Sequence, residues 1–300
     1  MNASDAMLLR RGFFLRLLSI ALFALMAICV RMASREVPVG QVVTSRGLFS
    51  LVPLLAYAAW TGALMRGFRT RQPGIHLKRG LIGGTALYCG FVAYASLPLA
   101  TATALNFLTP LFTVFLAALR LKERITLVVS AMLLLGLSGA TLVIAPELTY
   151  VALEDSTVIG IICGLVGAVL SAWAYTIVKE MTATEPAAQI AIFFSAALIL
   201  LALPSAALGW SVPTLNTTGL LIAAGLLGGA GHVAMTEAFA RTSVSSLAVC
   251  DYSALLWAIT ADVVIEAKWP TSLTVIGAIL IVTAAVAIPA LGARRHRANR

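Results

Sequence analysis

RMASREVPVGQ, from Arg31 to Gln41, and KEMTATEPAAQ, from Lys179 to Gln189, share one spacing: a cation, a proline seven residues later and a glutamine three residues after that. Each stretch lies between two long apolar runs, and the two cations are 148 residues apart. A repeat with this period, in a chain of 300 residues, indicates two similar halves. We therefore predict tandem repeats over residues 1–145 and 146–300.

The apolar runs predict an integral membrane protein. Hydrophobic residues make up 60% of the chain and charged residues 11%, with a mean hydropathy of +0.98, whereas soluble domains are about 25% charged. The runs are about twenty residues long, enough to cross a bilayer as a helix, and they lack the alternation of barrel strands. We predict an all-α fold of ten transmembrane helices, at residues 13–34, 39–64, 79–97, 99–119, 126–145, 157–178, 187–208, 218–240, 243–265 and 270–290.

The distribution of lysine and arginine predicts the orientation. One side of the predicted membrane receives Arg31, Arg35 and Lys268, and Arg46 falls inside a helix. The opposite side receives Arg10, Arg11, Arg16, Arg66, Arg69, Arg71, Lys78, Arg79, Arg120, Lys122, Arg124, Lys179, Arg241, Arg294, Arg295, Arg297 and Arg300. Positive loops stay in the cytoplasm, so both termini are predicted to be cytoplasmic. Because each half has an odd number of helices, the halves are inverted, which places a substrate site near the midplane.

Five segments carry a family resemblance. Residues 94–113 read YASLPLATATALNFLTPLFT and residues 121–124 read LKER; the second half repeats the theme with AFARTSVSSLA at 238–248 and LLWA at 255–258, and GAILI follows at 277–281. These segments resemble the drug/metabolite transporter superfamily, EamA type. The resemblance implies ten helices, alternating access and a central cavity lined mainly by helices 1, 3, 4, 6, 8 and 9. Its bacterial members include amino-acid exporters and importers of riboflavin or S-adenosylmethionine.

Two ionisable residues at membrane depth are candidates for substrate binding. From the helix rise, Arg46 lies roughly 10 Å inside the outer end of helix 2, and Asp251 lies roughly 12 Å inside the cytoplasmic end of helix 9. Such residues are rare in membranes and often functional. Arg46 suits a carboxylate, and Asp251 suits an amine or a proton. The alternative is that each is paired structurally with its neighbours.

The other candidates are neutral. His232 is the one histidine predicted at membrane depth, and Asn106 has a carbonyl that Pro110, four residues on, leaves without its helical partner. Deep aromatic residues on the expected cavity helices are Tyr88, Trp173, Tyr175, Tyr252 and Trp257. Ordinary interhelical packing is the alternative for each of them.

Two further patterns receive a structural interpretation. Glu237 is predicted to pair with Arg241, because four residues separate them in the favourable order. Glycines are predicted to let backbones approach closely in helix 3 (Gly80, Gly83, Gly84, Gly90) and helix 8 (Gly225, Gly228, Gly229, Gly231).

No nucleotide-binding loop, metalloprotease or nucleophile-elbow motif is present, and the four cysteines lie far apart, so we expect no cofactor, no metal and no enzymatic activity. The net charge of +9 is attributed to loop topology rather than nucleic acid. We predict a secondary transporter of small organic metabolites in a bacterial inner membrane, with amino-acid export preferred, monomeric or homodimeric. The alternatives are import of riboflavin or S-adenosylmethionine and, from another class, a membrane-embedded enzyme or receptor.

Overall fold

The computed structural model describes residues 3–64, 70, 72–97, 102, 105–121, 127–148, 155–254, 256–257, 260, 263, 272–273, 275–277, 279–280 and 283–284. Within these residues the α-helices are α1 (Ala3–Ala33), α2 (Val39–Trp60), α3 (Pro73–Ser96), α4 (Leu108–Arg120), α5 (Leu127–Leu148), α6 (Asp155–Met181), α7 (Ala187–Ala202), α8 (Leu215–Arg241) and α9 (Val244–Ala248). Short 3-10 helices follow α7 (Leu203–Leu208) and α9 (Val249–Ser253). The described residues of the predicted tenth segment are also helical.

The described helices confirm the all-α membrane class. Five of them are long and apolar enough to cross a bilayer, and shorter apolar helices cover Leu108–Arg120 and Ser130–Gly139. Large hydrophobic side chains point outward along these helices, among them Leu48 and Val52 of α2. In water this surface would be costly, whereas lipid tails match it.

The packing of the helices relates the two halves by symmetry. The most extensive contacts are those of α1 with α8 and of α3 with α6, followed by α2 with α8, α2 with α7, α4 with α6, and α3 with α7. When each helix is replaced by its counterpart five helices away in the chain, the α1–α8 contact corresponds to the α6–α3 contact, and the α2–α8 contact corresponds to the α7–α3 contact. The α2–α7 contact corresponds to itself. The two predicted halves therefore interleave as equivalent repeats, as inverted repeats do.

The cations of the two repeated stretches cap helix ends. Arg31 Nη1 donates a hydrogen bond to the carbonyl oxygen of Leu97, just after α3, at 2.6 Å. Lys179 Nζ donates to the carbonyl oxygens of Phe239 and Thr242, at the end of α8, at 2.6 and 3.1 Å. The last carbonyls of a helix lack helical partners and carry partial negative charge. The repeated spacing thus places one cation on the corresponding helix end of each half.

The two prolines of these stretches have the same conformation, whereas the two glutamines make different contacts. Pro38 and Pro186 both precede a helix in the extended conformation, with φ of −61° and −63°, the value that the proline ring favours. Gln41 donates to the carbonyl oxygen of Ser211 at 2.9 Å. Gln189, by contrast, has a buried amide nitrogen without a hydrogen-bond partner among the described residues.

Glycines allow the close packing of α8 on α2, as predicted. A Cβ added at Gly229 would lie 2.6 Å from the backbone oxygen of Ser50, and one at Gly225 would overlap Phe49. Gly80 and Gly84 make the matching approach of α3 to α7. Gly90 differs, because a Cβ there would meet nothing within 4 Å.

We predict that Gly229→Ala destabilises the protein by about 1–3 kcal/mol, because backbone rather than a flexible side chain must move to admit the methyl group. Gly219→Ala in the same helix is the matched control, since a Cβ at Gly219 meets nothing within 4 Å. Thermal unfolding of both purified variants in detergent measures the difference. Equal unfolding temperatures would contradict the close packing.

A carboxylate on the α1–α2 connection binds the start of α8. Glu36 Oε1 accepts a hydrogen bond from the backbone N–H of Thr214 at 2.6 Å, and Oε2 accepts from the hydroxyl groups of Thr214 and Thr217. The hydrogen bond from Thr217 and that from the Thr214 backbone hold the pKa of Glu36 below its usual value. On the opposite face, Glu185 accepts from the hydroxyl of Thr70 at 2.6 Å.

The Glu36 contact predicts a pH-dependent contribution to stability. A depressed pKa means that the contribution is present above the unfolded-state pKa and is lost as pH falls through the folded-state pKa. Wild type should therefore unfold at a higher temperature than Glu36→Gln at neutral pH. This gap between the two unfolding temperatures should shrink as the pH falls into the acid range. Unfolding temperatures of both proteins across pH measure it, and a gap that stays constant would contradict the contact.

Candidate functional site

A cavity of about 230 Å³ lies between the two halves. Its walls come from α1, α3, α6 and α8, from Phe194 of α7, and from the chain around Asn106 and Asp251. Most lining groups are apolar. The side chains in the lining that can form hydrogen bonds are Arg16, Arg79, Tyr94, Asn106, Thr109, Ser171, Tyr175, His232, Asp251 and Trp257. Apolar walls with a few placed polar groups are typical of small-molecule sites.

Helices 4 and 9 are interrupted where they reach this cavity. Residues 105–106 are helical, the chain turns at Phe107, and α4 begins at Leu108 with Pro110 in its first turn. In the predicted segment 99–119 the described residues other than Phe107 are helical, and Phe107 itself keeps helix-like dihedrals, φ −71° and ψ −9°. Helix 9 changes to 3-10 geometry over Val249–Ser253 without a proline. The rings of Phe107 and Tyr252 lie 5.7 Å apart, so the two interruptions meet, as discontinuous helices do at transport sites.

The main polar contact of the cavity is an ion pair between Arg16 and Asp251. Arg16 Nε and Nη2 donate to Asp251 Oδ1 at 2.8 and 2.5 Å. The side chains are 2% and 13% exposed. The guanidinium carbon of Arg16 also lies 4.8 Å from the ring centre of Tyr175 and 5.0 Å from that of Phe239. The pair joins α1 of the first half to helix 9 of the second.

Arg79 supplies a second buried guanidinium group. It lines the cavity, is 4% exposed and stacks on Phe194, with 3.9 Å between the guanidinium carbon and the ring centre. Its Nε and Nη1 have no hydrogen-bond partner among the described residues. Asp251 is the only carboxylate in the described lining, so the lining carries more positive than negative charge.

Five of the predicted site residues meet in the lining: Asp251, His232, Asn106, Tyr175 and Trp257. The ring of His232 packs against those of Phe23 and Phe194, with centroids 5.1 and 4.7 Å apart. Asn106 Nδ2 donates to the hydroxyl of Tyr94 at 3.0 Å. These five residues, which were predicted from the sequence, thus contribute groups to the cavity wall from several helices.

The other four predicted residues lie outside the lining. Tyr252 is fully buried and donates to the carbonyl oxygen of Leu133 at 3.2 Å. Arg46 is fully buried, with Nη2 3.4 Å from the carbonyl oxygen of Gly228. Trp173 lies between Lys78 and Arg120, and Tyr88 packs against the apolar cluster that includes Phe91. Their participation in binding stays a prediction.

Arg16 and Arg79 are the site residues that sequence reasoning missed. It counted both with the cations of the cytoplasmic side, near the starts of the predicted segments 13–34 and 79–97. The helices begin earlier than predicted, at Ala3 and Pro73, so both arginines lie well inside them. For Arg16 a signal existed, because it already fell within the predicted segment 13–34. Glu237 needed no correction: it pairs with Arg241, as predicted, and also accepts from the Tyr57 hydroxyl at 2.7 Å.

Two inverted five-helix halves enclosing a mainly apolar cavity with a few buried charges define a secondary transporter. The EamA-like transporter family matches residues 10–145 and 158–288, one stretch in each predicted half. The chain belongs to this family, and it is a membrane transporter rather than an enzyme.

Similar proteins agree with this assignment. The chain is 32% identical over 285 residues to the pseudopaline exporter CntI of Pseudomonas aeruginosa, covering 94% of this chain and 96% of that protein. It is 26% identical to the S-adenosylmethionine uptake transporter of Rickettsia bellii, covering 81% of each. A solved structure, titled only as the crystal structure of a protein, superposes with a TM-score of 0.78 at 23% identity, covering 95% of this chain and 98% of that one. That likeness shows the fold.

We predict that Asp251→Ala destabilises the protein by about 3–5 kcal/mol, because it leaves the Arg16 guanidinium buried without its counter-ion. The double variant Arg16→Met/Asp251→Leu should recover most of the loss, since it removes both charges and keeps the volume. Unfolding temperatures of the two variants and wild type in detergent test this. If the double variant is no more stable than Asp251→Ala, the pair is not the cause.

Proposed function

We propose that the transported solute is a small amino-acid-like metabolite and that the protein exports it. The observation that carries this proposal is the Arg16–Asp251 pair facing a mainly apolar cavity. A guanidinium group binds a carboxylate through two parallel hydrogen bonds, and a carboxylate accepts hydrogen bonds from an ammonium group. A solute with both groups can replace each partner of the ion pair with one of its own.

The size of the cavity supports a small solute. Pockets for drug-sized ligands measure roughly 300–1,000 Å³, and this cavity measures about 230 Å³. An amino acid fits that volume more readily than a flavin does. The aromatic side chains of Phe23 and Tyr94 offer apolar surface to the rest of the solute.

The proposed direction of transport and the proposed orientation of the protein in the membrane have separate support. The relative that is 32% identical is named an exporter. The excess of lysine and arginine on one side favours both termini in the cytoplasm, and the bacterial relatives favour a bacterial inner membrane location. An exporter in this orientation would take its solute from the cytoplasm.

Uptake of S-adenosylmethionine is the second candidate, because relatives at 26% identity carry that name. That solute has a sulfonium group in addition to its ammonium and carboxylate groups, so it is more positive than a simple amino acid. The lining holds two guanidinium groups against one carboxylate among its described residues. The charge balance therefore favours solutes without the additional cation.

Uptake into inverted inner-membrane vesicles tests the proposal. Vesicles that contain the wild-type protein should accumulate labelled amino acids above vesicles that lack it. Arg16→Met should lower the initial rate about 10–100-fold, the effect of losing a hydrogen bond to a charged group, and Arg16→Lys less. Trp60→Phe is the control, because Trp60 is 84% exposed at the end of α2. Uptake of S-adenosylmethionine alone, or of no member of the panel, would overturn the proposal.

The same vesicles test the orientation. A thiol reagent that does not cross membranes should label Ala183→Cys, on the α6–α7 connection, and leave Ala207→Cys, on the α7–α8 connection, unlabelled. Both positions are exposed. The opposite pattern would reverse the proposed orientation.

A further inference from the structure

The Arg79 guanidinium group lies in a site built for it, yet it forms no salt bridge within the part of the chain that the structure describes. Gly83 makes the room, since a Cβ there would overlap Arg79 Nη1. Phe194 provides a flat surface 3.9 Å from the guanidinium carbon. Nevertheless Nε and Nη1 are buried without a hydrogen-bond partner among the described residues. A buried cation without a counter-ion is costly, so this group is suited to a ligand that brings the negative charge.

Arg16 and Arg79 open into the same cavity, with Tyr175 next to both. The Tyr175 ring centre is 4.8 Å from the guanidinium carbon of Arg16, and Tyr175 and Arg79 line the same cavity. Arg16 keeps one nitrogen, Nη1, free of hydrogen-bond partners among the described residues. Two guanidinium groups therefore face one space, and Asp251 neutralises only one of them.

Charge balance selects the class of solute that completes this site. Two arginines and one aspartate leave one positive charge in the described lining. A solute with two carboxylates and one ammonium group carries one negative charge and neutralises it. A monocarboxylic amino acid is neutral overall and leaves Arg79 unpaired.

We propose that the cavity selects acidic amino acids and related amino dicarboxylates, with Arg79 as the residue that determines this specificity. One carboxylate binds Arg16, the ammonium group binds Asp251 and the second carboxylate binds Arg79. This inference rests on the proposed function, because it assigns the solute class of the same cavity.

Pairs of ligands that differ by one charge give the sharpest test. Glutamate and glutamine, or aspartate and asparagine, have nearly the same shape, and only the acid offers Arg79 a carboxylate. Purified wild-type protein in detergent should be stabilised against heat by the acids at concentrations at least about tenfold lower than by the amides, the difference expected for one charge-assisted hydrogen bond. O-Phosphoserine tests whether a phosphate replaces the second carboxylate.

Variants of Arg79 and Gly83 test whether Arg79 causes the preference for acids over amides. Arg79→Met should bring the affinity for glutamate close to that for glutamine by weakening glutamate binding far more than glutamine binding, whereas Arg79→Lys should keep part of the preference. Gly83→Ala, which displaces the guanidinium group, should weaken binding of the acids selectively and provides the test if Arg79→Met does not fold. Arg35→Met is the control, because it removes an exposed cation on the α1–α2 connection.

The outcomes separate this inference from the proposed function. Equal binding of acids and amides in wild type, or an acid preference that survives Arg79→Met, would overturn the role of Arg79 while leaving amino-acid transport intact. A stronger effect of O-phosphoserine than of either acid would overturn the carboxylate assignment. Binding of no amino acid at all would overturn both.

Discussion

The structure of the site depends on one constraint: the Arg16 charge is buried in a membrane protein and needs a counter-ion. Lipid and apolar side chains offer none, and an unpaired ion in such surroundings costs several kcal/mol. Asp251 supplies the counter-charge from the other half of the molecule. Helix 9 is in 3-10 geometry at that point, so the pair, the helix interruption and the cavity lie together at the junction of the halves. Under the proposed function, a solute that binds there replaces this interaction between α1 and helix 9.

The two repeats are alike in the residues that pack them together, but they differ in the polar groups that they contribute to the cavity. Helix-capping cations, glycine contacts and carboxylates on the connections recur in both halves with offsets of 145–149 residues. At the same offset of 145, Asn106 corresponds to Asp251, and Arg79 corresponds to Ala224. The repeated residues serve packing between the halves, which is the same on each face. The charges of Arg79 and Asp251, which are not repeated, lie in the cavity and give it its polarity.

Much of the fold could be predicted from sequence, because hydrophobic length and loop charge are local properties. The membrane class and the positions of the long helices followed from them, and the repeat was predicted from the shared spacing of its two connections. Asp251, His232 and Asn106 line the cavity, and their role in binding stays a prediction. The pairing of Arg16 with Asp251 joins residues 235 positions apart, and no local pattern reports it. Arg79 stood at the very start of the predicted segment 79–97, whereas its helix begins at Pro73, so its depth was not anticipated. Tyr252 lies within the 3-10 helix Val249–Ser253, and its hydroxyl donates to the carbonyl oxygen of Leu133, which a regular helical period does not anticipate.

A structure of the protein bound to its most stabilising amino acid tests whether the solute replaces the Arg16–Asp251 pair. The distance from Arg16 Nε to Asp251 Oδ1, 2.8 Å here, should lengthen beyond hydrogen-bonding range, with the solute carboxylate on Arg16 and its ammonium group on Asp251. An intact Arg16–Asp251 pair with the solute bound elsewhere would contradict it.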